Sequence, residues 1–170
     1  MKHLLFVLFI SISALTTAQQ TTMKSAWLEK WDNSKTYLIG IAEAMPEEKY
    51  DFKPTERQMT FKEQLLHIKG NIDWLSNTYF SETDFQKTTG VQPKTKQETI
   101  ALIKSAFENA YNLIAASPDE KMSDTVEFFS GPKSKIQILN LLQDHVSHHR
   151  GQIIVYLNLN NVEPPQFVGW

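Results

Sequence analysis

The stretch DHVSHHRGQ, Asp144 to Gln152, holds three of the chain's five histidines within five positions. His145 and His149 are four residues apart, which on an α-helix puts them one turn apart on one face, with Cβ atoms about 6 Å from each other. Two imidazoles so placed can share one metal ion at nitrogen–metal distances near ~2.1 Å. On a buried face each ring needs a partner for both nitrogens, and leaving them unpaired is costly. A cation satisfies one nitrogen of each ring at once. A third candidate, His67, lies in LLHIKGNIDWL, and apart from His3 every histidine of the chain falls in one of these two segments. Taken alone, His67 is an ordinary hydrogen-bonded histidine. With the pair it makes three nitrogens from two segments, leaving coordination positions for water or substrate, and open sites of that kind do chemistry where closed ones hold structure.

Other chemistries fail on the residues present. The chain has no cysteine, so a thiol nucleophile is excluded, no disulfide braces the fold, and a metal must be held by His, Asp or Glu. A zinc-protease H-E-x-x-H motif needs Glu directly after its first histidine, and that place is Val146. A di-iron carboxylate bundle needs Glu-x-x-His on two helices, and the residue three before His67 is Gln64. No G-x-S-x-G, P-loop or Rossmann fingerprint is present. Three imidazoles suit zinc or nickel first, and iron, manganese or copper as well.

Supporting roles are assigned by position. Gln152, one step beyond His149 along the same face, can hydrogen-bond a metal-bound water or ligand, or simply satisfy helix packing. Asn71, one turn beyond His67, can do likewise or face solvent. His148 is rotated away from His149 and is expected to face solvent, a proton relay at the rim being the other reading. Asp144 points about 100° away from His145 around the helix and is not assigned as a base. Arg150 is expected in a surface ion pair rather than on a substrate acid. Trp74, on the His67 side, is expected in core packing, with the pocket wall as its other reading.

Four amphipathic helices are needed to position these residues. The first covers about Thr22 to Ala44, with Trp27, Trp31, Leu38 and Ile41 as buried positions, and Pro46 ends it. The second starts at Thr60, where TFKE forms a capping box with Glu63; its seam is Phe61, Leu65, Ile68, Ile72, Leu75 and Tyr79. The third opens on the box Thr95 to Glu98 and stops before Pro118. DTVEFFSGPK then reads as an extended loop or short strand pair with a Gly-Pro turn. The fourth opens on Ser134 to Gln137 and runs to about Asn160, with the seam Ile138, Leu142, His145, His149, Gln152 and Tyr156. Pro164 and Pro165 keep the tail non-helical, and its Phe167 and Trp170 are expected to fold back on the bundle. The predicted fold is all-α, a four-helix bundle with long crossover loops and a short extended segment before the last helix.

At 170 residues, with 21% charged and a net charge of −2, one domain is expected, and the balance of signs argues against nucleic acid or an anionic membrane as partner. MKHLLFVLFISISALTTA has Lys2, an apolar run from Leu4 to Leu15, and small residues at Thr16 and Ala18, the layout of a secretory signal peptide over residues 1–18. The run is short for a bilayer. The expected product is residues 19–170 as one soluble domain without a membrane span, secreted or periplasmic.

FKEQLLHIKGNIDWL and LLQDHVSHHRGQIIVYLNLNNVEPP resemble the two signature segments of the DinB-like (YfiT-like) superfamily, and the likeness covers essentially all of residues 19–170, including YDFKPTERQMTFKE and the closing Pro-Pro. The resemblance implies a four-helix bundle holding one divalent metal through His67, His145 and His149, the residues already selected by spacing. It also implies a metal-dependent transferase of the thiol S-transferase type, the metal lowering the pKa of a low-molecular-weight thiol presented to an electrophile. Hydrolysis is the close alternative, and the small-molecule substrate is unknown. The rival expectation is a non-catalytic secreted binding or interaction domain with a structural or vestigial metal site, or a metal-binding protein without catalysis. A homodimer is open to a bundle of this kind.

Overall fold

Each helix begins where a side chain takes up the free amides of its first turn. In the computed structural model, which describes residues 21–83, 85 and 92–167, Thr22 accepts from the Ser25 amide at 3.1 Å and starts α1 (Met23–Ala44). Thr60 and Glu63 exchange bonds of 3.1 and 2.7 Å at the start of α2 (Phe61–Phe80). Thr95 with Glu98 opens α3 (Lys96–Ala116), and Ser134 with Gln137 opens α4 (Lys135–Leu159). All three boxes expected from the sequence are formed. The far end of α4 closes differently. Asn161 takes φ 55°, and the Val162 amide reaches back to the Leu157 carbonyl at 3.0 Å, a Schellman closure with asparagine in the left-handed place.

Helices α1 and α2 each pack against both α3 and α4, so α1 faces α2 across the bundle and α3 faces α4. The chain therefore crosses a diagonal twice, after α1 and after α3, which is why those two connections are long. The first crossover is pinned to α2: the Phe61 and Lys62 amides donate to the Phe52 and Tyr50 carbonyls at 2.9 and 2.8 Å, and the Tyr50 hydroxyl donates to Ala42 O at 2.7 Å. The second contains the expected strand pair, Thr125–Val126 antiparallel to Lys133–Ser134, with Thr125 opposite Ser134. Its turn passes through Gly131 at φ +99°, a conformation that side-chain-bearing residues rarely adopt.

Inside, Trp31 stacks between Trp27 and Phe107 at ring distances of 4.7 and 4.4 Å, and both indoles donate to buried carbonyls, Leu139 O and Phe107 O. Leu65, Ile68, Ile72 and Leu75 bring α2 into this core as expected. At its last turn Phe80, not Tyr79, is buried, and Tyr79 packs at the edge near Phe128. The steps from Phe61 to Tyr79 span five whole turns, so Tyr79 stands in line with Phe61 and helical drift does not account for the exchange. In the tail, Pro165 lies against Gly40 and the Phe167 ring meets Tyr37 edge-on at 5.9 Å, although Phe167 keeps 66% of its surface exposed. Trp170 and the signal-like segment lie outside the described residues. No helix among the described residues is long and apolar enough to cross a membrane.

Candidate metal centre

Neighbouring helices α2 and α4 supply the site. His67 comes from the second turn of α2, and His145 and His149 come from consecutive turns of α4. One ring nitrogen from each residue lies within 4.8 Å of the others. The three differ in burial: His149 is 8% exposed, His145 half-buried and His67 exposed. The core stripe of α4 explains the gradient. Leu139, Leu142, Val146, Ile153 and Leu157 point to the bundle axis, which leaves His145 and Gln152 on the shoulder toward α2 rather than at the centre of the seam. The cluster thus sits at an edge of the bundle, with one side shut by core and the other reachable.

His67 Nε2 and His145 Nε2 stand 3.1 Å apart. Two nitrogens bound to one cation at about 2.0–2.1 Å are separated by about 2.9 Å at a right angle and about 3.4 Å at a tetrahedral one, so this spacing is that of adjacent ligands. Burial, with the neighbouring histidines adding to it, pushes both His145 and His149 down to about 4, so both rings are neutral at pH 7, the form that binds metal. Three imidazoles with converging nitrogens are a donor set that fits a divalent cation.

The ring nitrogens turned away from the cluster are treated unequally. His149 Nδ1 lies 2.6 Å from Gln64 Oε1, and Gln64, 2% exposed, passes on through its amide nitrogen to Gln152 Oε1 at 2.7 Å. Gln152 Nε2 then meets His148 Nε2 at 2.8 Å. His145 Nδ1 is buried with no hydrogen-bond partner among the described residues, and Asn71 Oδ1 is in the same position. Beside His67 opens a cleft of about 790 Å³ lined by Leu66, Gly70, Asn71, Trp74 and the Lys69–Asp73 ion pair of 2.6 Å. Trp74 faces Phe128 and Phe129 of the hairpin loop at 6.0 and 6.3 Å, and Phe129 is 82% exposed.

His67, His145 and His149, chosen from spacing, are thus brought together. Gln152 bonds Gln64 and His148, which corresponds to the second of its two expected roles. Asn71 lines the cleft rather than facing solvent. His148 is exposed, as expected, but tied to the glutamine chain. Trp74 is a cleft wall as well as a packing residue. Arg150 departs most from expectation, being buried with its guanidinium 5.1 Å above the Tyr37 ring and without an ion pair among the described residues. Two further side chains matter here: Gln64, which has no assigned role in the sequence reading, and Tyr156, which is expected there only as a seam position. A polar residue on the buried face of α2 one turn before His67 was the available signal for Gln64.

The model of the DinB family matches residues 18–169 of the chain. YjoA, an uncharacterized protein of Bacillus subtilis (strain 168), is 23% identical over 120 residues, which is 69% of this chain and 77% of that protein. The crystal structure of YjoA, a DinB-like protein, has a TM-score of 0.68 at 18% identity, covering 83% of this chain and 96% of that one. A DinB-like protein from Bacillus cereus ATCC 10987 has a TM-score of 0.74 at 16% identity, covering 87% and 99%. At these identities the two structures speak for the fold.

Proposed function

The chain belongs to the DinB family, and from that premise we propose that it is a metal-dependent enzyme with an open three-histidine site, acting as a transferase of the thiol S-transferase type or as a hydrolase. The observation that carries this reading is the convergence of His67, His145 and His149 nitrogens from two helices at the mouth of a cleft. When bound, a divalent ion, zinc or nickel before iron, manganese or copper, would favour the deprotonated form of a thiol or water. The chain's own residues do the remainder. The core side of the cluster, closed by Val146 and Ile153, keeps bulk water from the rings. Asn71 gives the cleft a polar side, and Trp74 with Phe128 gives it an apolar wall. The Lys69–Asp73 pair leaves the cleft without a strong single sign, which suits a small neutral substrate better than a polyanion. Lys2 and the apolar run after it support a place outside the cytoplasm.

One observation favours the rival reading. The facing Nε2 atoms of His67 and His145 can share a hydrogen bond without any ion, as a non-catalytic helical domain would have it. Cobalt(II), added to the full chain purified without a histidine tag, separates the possibilities. If the proposal holds, a small thiol brings a sulfur-to-cobalt absorption band in the wild type and none in His145→Ala. Cobalt uptake with no response to thiol, together with hydrolysis of test esters or amides, assigns the hydrolase branch. A chain that takes up no cobalt is the binding domain.

A further inference from the structure

Only one nitrogen of a neutral imidazole carries a proton, so His149 can offer Nε2 to a cation only if its proton sits on Nδ1. Free histidine favours the other tautomer. The partner that would reverse the preference is Gln64, but an amide turned end for end has nearly the same shape, and either an oxygen or an NH2 group could face the ring. The direction is decided two residues further along. The Tyr156 hydroxyl donates its single hydrogen to the Met59 carbonyl at 2.9 Å, and a carbonyl can only accept. Toward Gln64, 3.4 Å away, the Tyr156 oxygen therefore presents lone pairs and needs an N–H. Gln64 must turn its NH2 to Tyr156 and to Gln152 Oε1, and its oxygen to His149 Nδ1–H. Gln152 in turn points its NH2 at His148 Nε2. Each of these contacts then pairs a donor with an acceptor. The reverse arrangement sets the Gln64 oxygen against the lone pairs of Tyr156 in a site where Gln64 and Tyr156 are each 2% exposed and water cannot relieve the clash.

We infer that Gln64, oriented by Tyr156 and the Met59 carbonyl, is a positioning residue that fixes His149 as its Nδ1–H tautomer and leaves Nε2 free for a cation. The inference builds on the three-histidine reading, since the freed nitrogen matters only if something binds there. It is also the arrangement by which metal-ligating histidines are commonly held, the other ring N–H donating to an oxygen.

The tautomer can be read without any metal. Long-range proton–nitrogen correlation spectra of the isotopically labelled, metal-free full chain at neutral pH are expected to show the His149 proton on Nδ1. In Gln64→Leu it moves to Nε2, and zinc affinity falls about 10- to 100-fold. Gln64→Glu, whose carboxylate can only accept, keeps the Nδ1 proton provided the Tyr156 hydroxyl and the Gln152 amide turn to donate to its second oxygen, a rescue of the tautomer that a packing role would not give. Tyr156→Phe, the milder variant should Gln64→Leu fold poorly, yields a mixture of both tautomers. A wild-type proton on Nε2, or a tautomer untouched by both Gln64→Leu and Tyr156→Phe, overturns the inference. Failure of zinc to bind while the tautomer behaves as stated would instead refute the metal centre and leave the positioning intact.

Discussion

Burial decides how His145 and His149 respond to acid. Both are pushed down from an ordinary value of 6.5 to about 4, chiefly by desolvation and then by neighbouring histidines. Between those values the unfolded chain binds protons that the folded chain does not, so stability rises with pH across the window and is flat above it. The metal-free protein should therefore keep its urea midpoint from pH 8 down to about 6.5 and lose it progressively toward about 4. His145→Gln should lose less over the same window, because one of the two groups responsible is gone. A wild type and variant with parallel curves would contradict the assignment. At this scale the sequence was partly legible. Four-residue spacing on an apolar-periodic helix exposed His145 and His149, and His67 followed because so few histidines remained. The glutamine chain was not legible, because its direction depends on a backbone carbonyl, Met59 O, delivered by a loop whose path no local pattern encodes. Arg150 was misjudged for a related reason: its burial over Tyr37 comes from the packing of α4 on α1, and a charged residue beside an exposed glycine reads as surface.

Helices α2 and α4 do the positioning, and their punctuation can be tested through glycine. Gly151 lies exposed in the interior of α4, and a Cβ there would meet nothing within 4 Å. Gly151→Ala should raise stability by about 0.5–1 kcal/mol through backbone entropy alone. Gly131→Ala also meets open space, yet its φ of +99° makes any side chain strained, so it should lower stability by about 1 kcal/mol or more. Opposite signs at two equally uncrowded glycines would show that backbone conformation, not packing, separates them; equal signs in denaturant unfolding would contradict the hairpin turn. Helix starts were the most legible part of the chain, since Thr60, Thr95 and Ser134 each meet a Glu or Gln three residues on. The seams were less so. Position 79 gave way to 80 although it stands five whole turns from Phe61, and His145 lies on the shoulder because the buried stripe of α4 is centred on Leu142, Val146 and Ile153 rather than on the line from Ile138 to His145.

Across the whole molecule, two diagonal crossovers place α2 beside α4, and that adjacency alone allows residues 78 positions apart, His67 and His145, to face each other. Long connections after the first and third helices hinted at crossovers, but which helices become neighbours is settled only when four amphipathic faces close on one core. A cation held at the α2–α4 seam ties the two helices together, so saturating metal at about 100 times its dissociation constant should add about 2.7 kcal/mol to the stability of the fold. The most direct test is elemental analysis of the full chain, purified without a histidine tag, alongside His67→Ala and His149→Ala. The account predicts near-stoichiometric divalent metal in the wild type, lost from both variants together with the added thermal stability. A wild-type protein free of metal after exposure to zinc or nickel, melting at the same temperature as both variants, would contradict it.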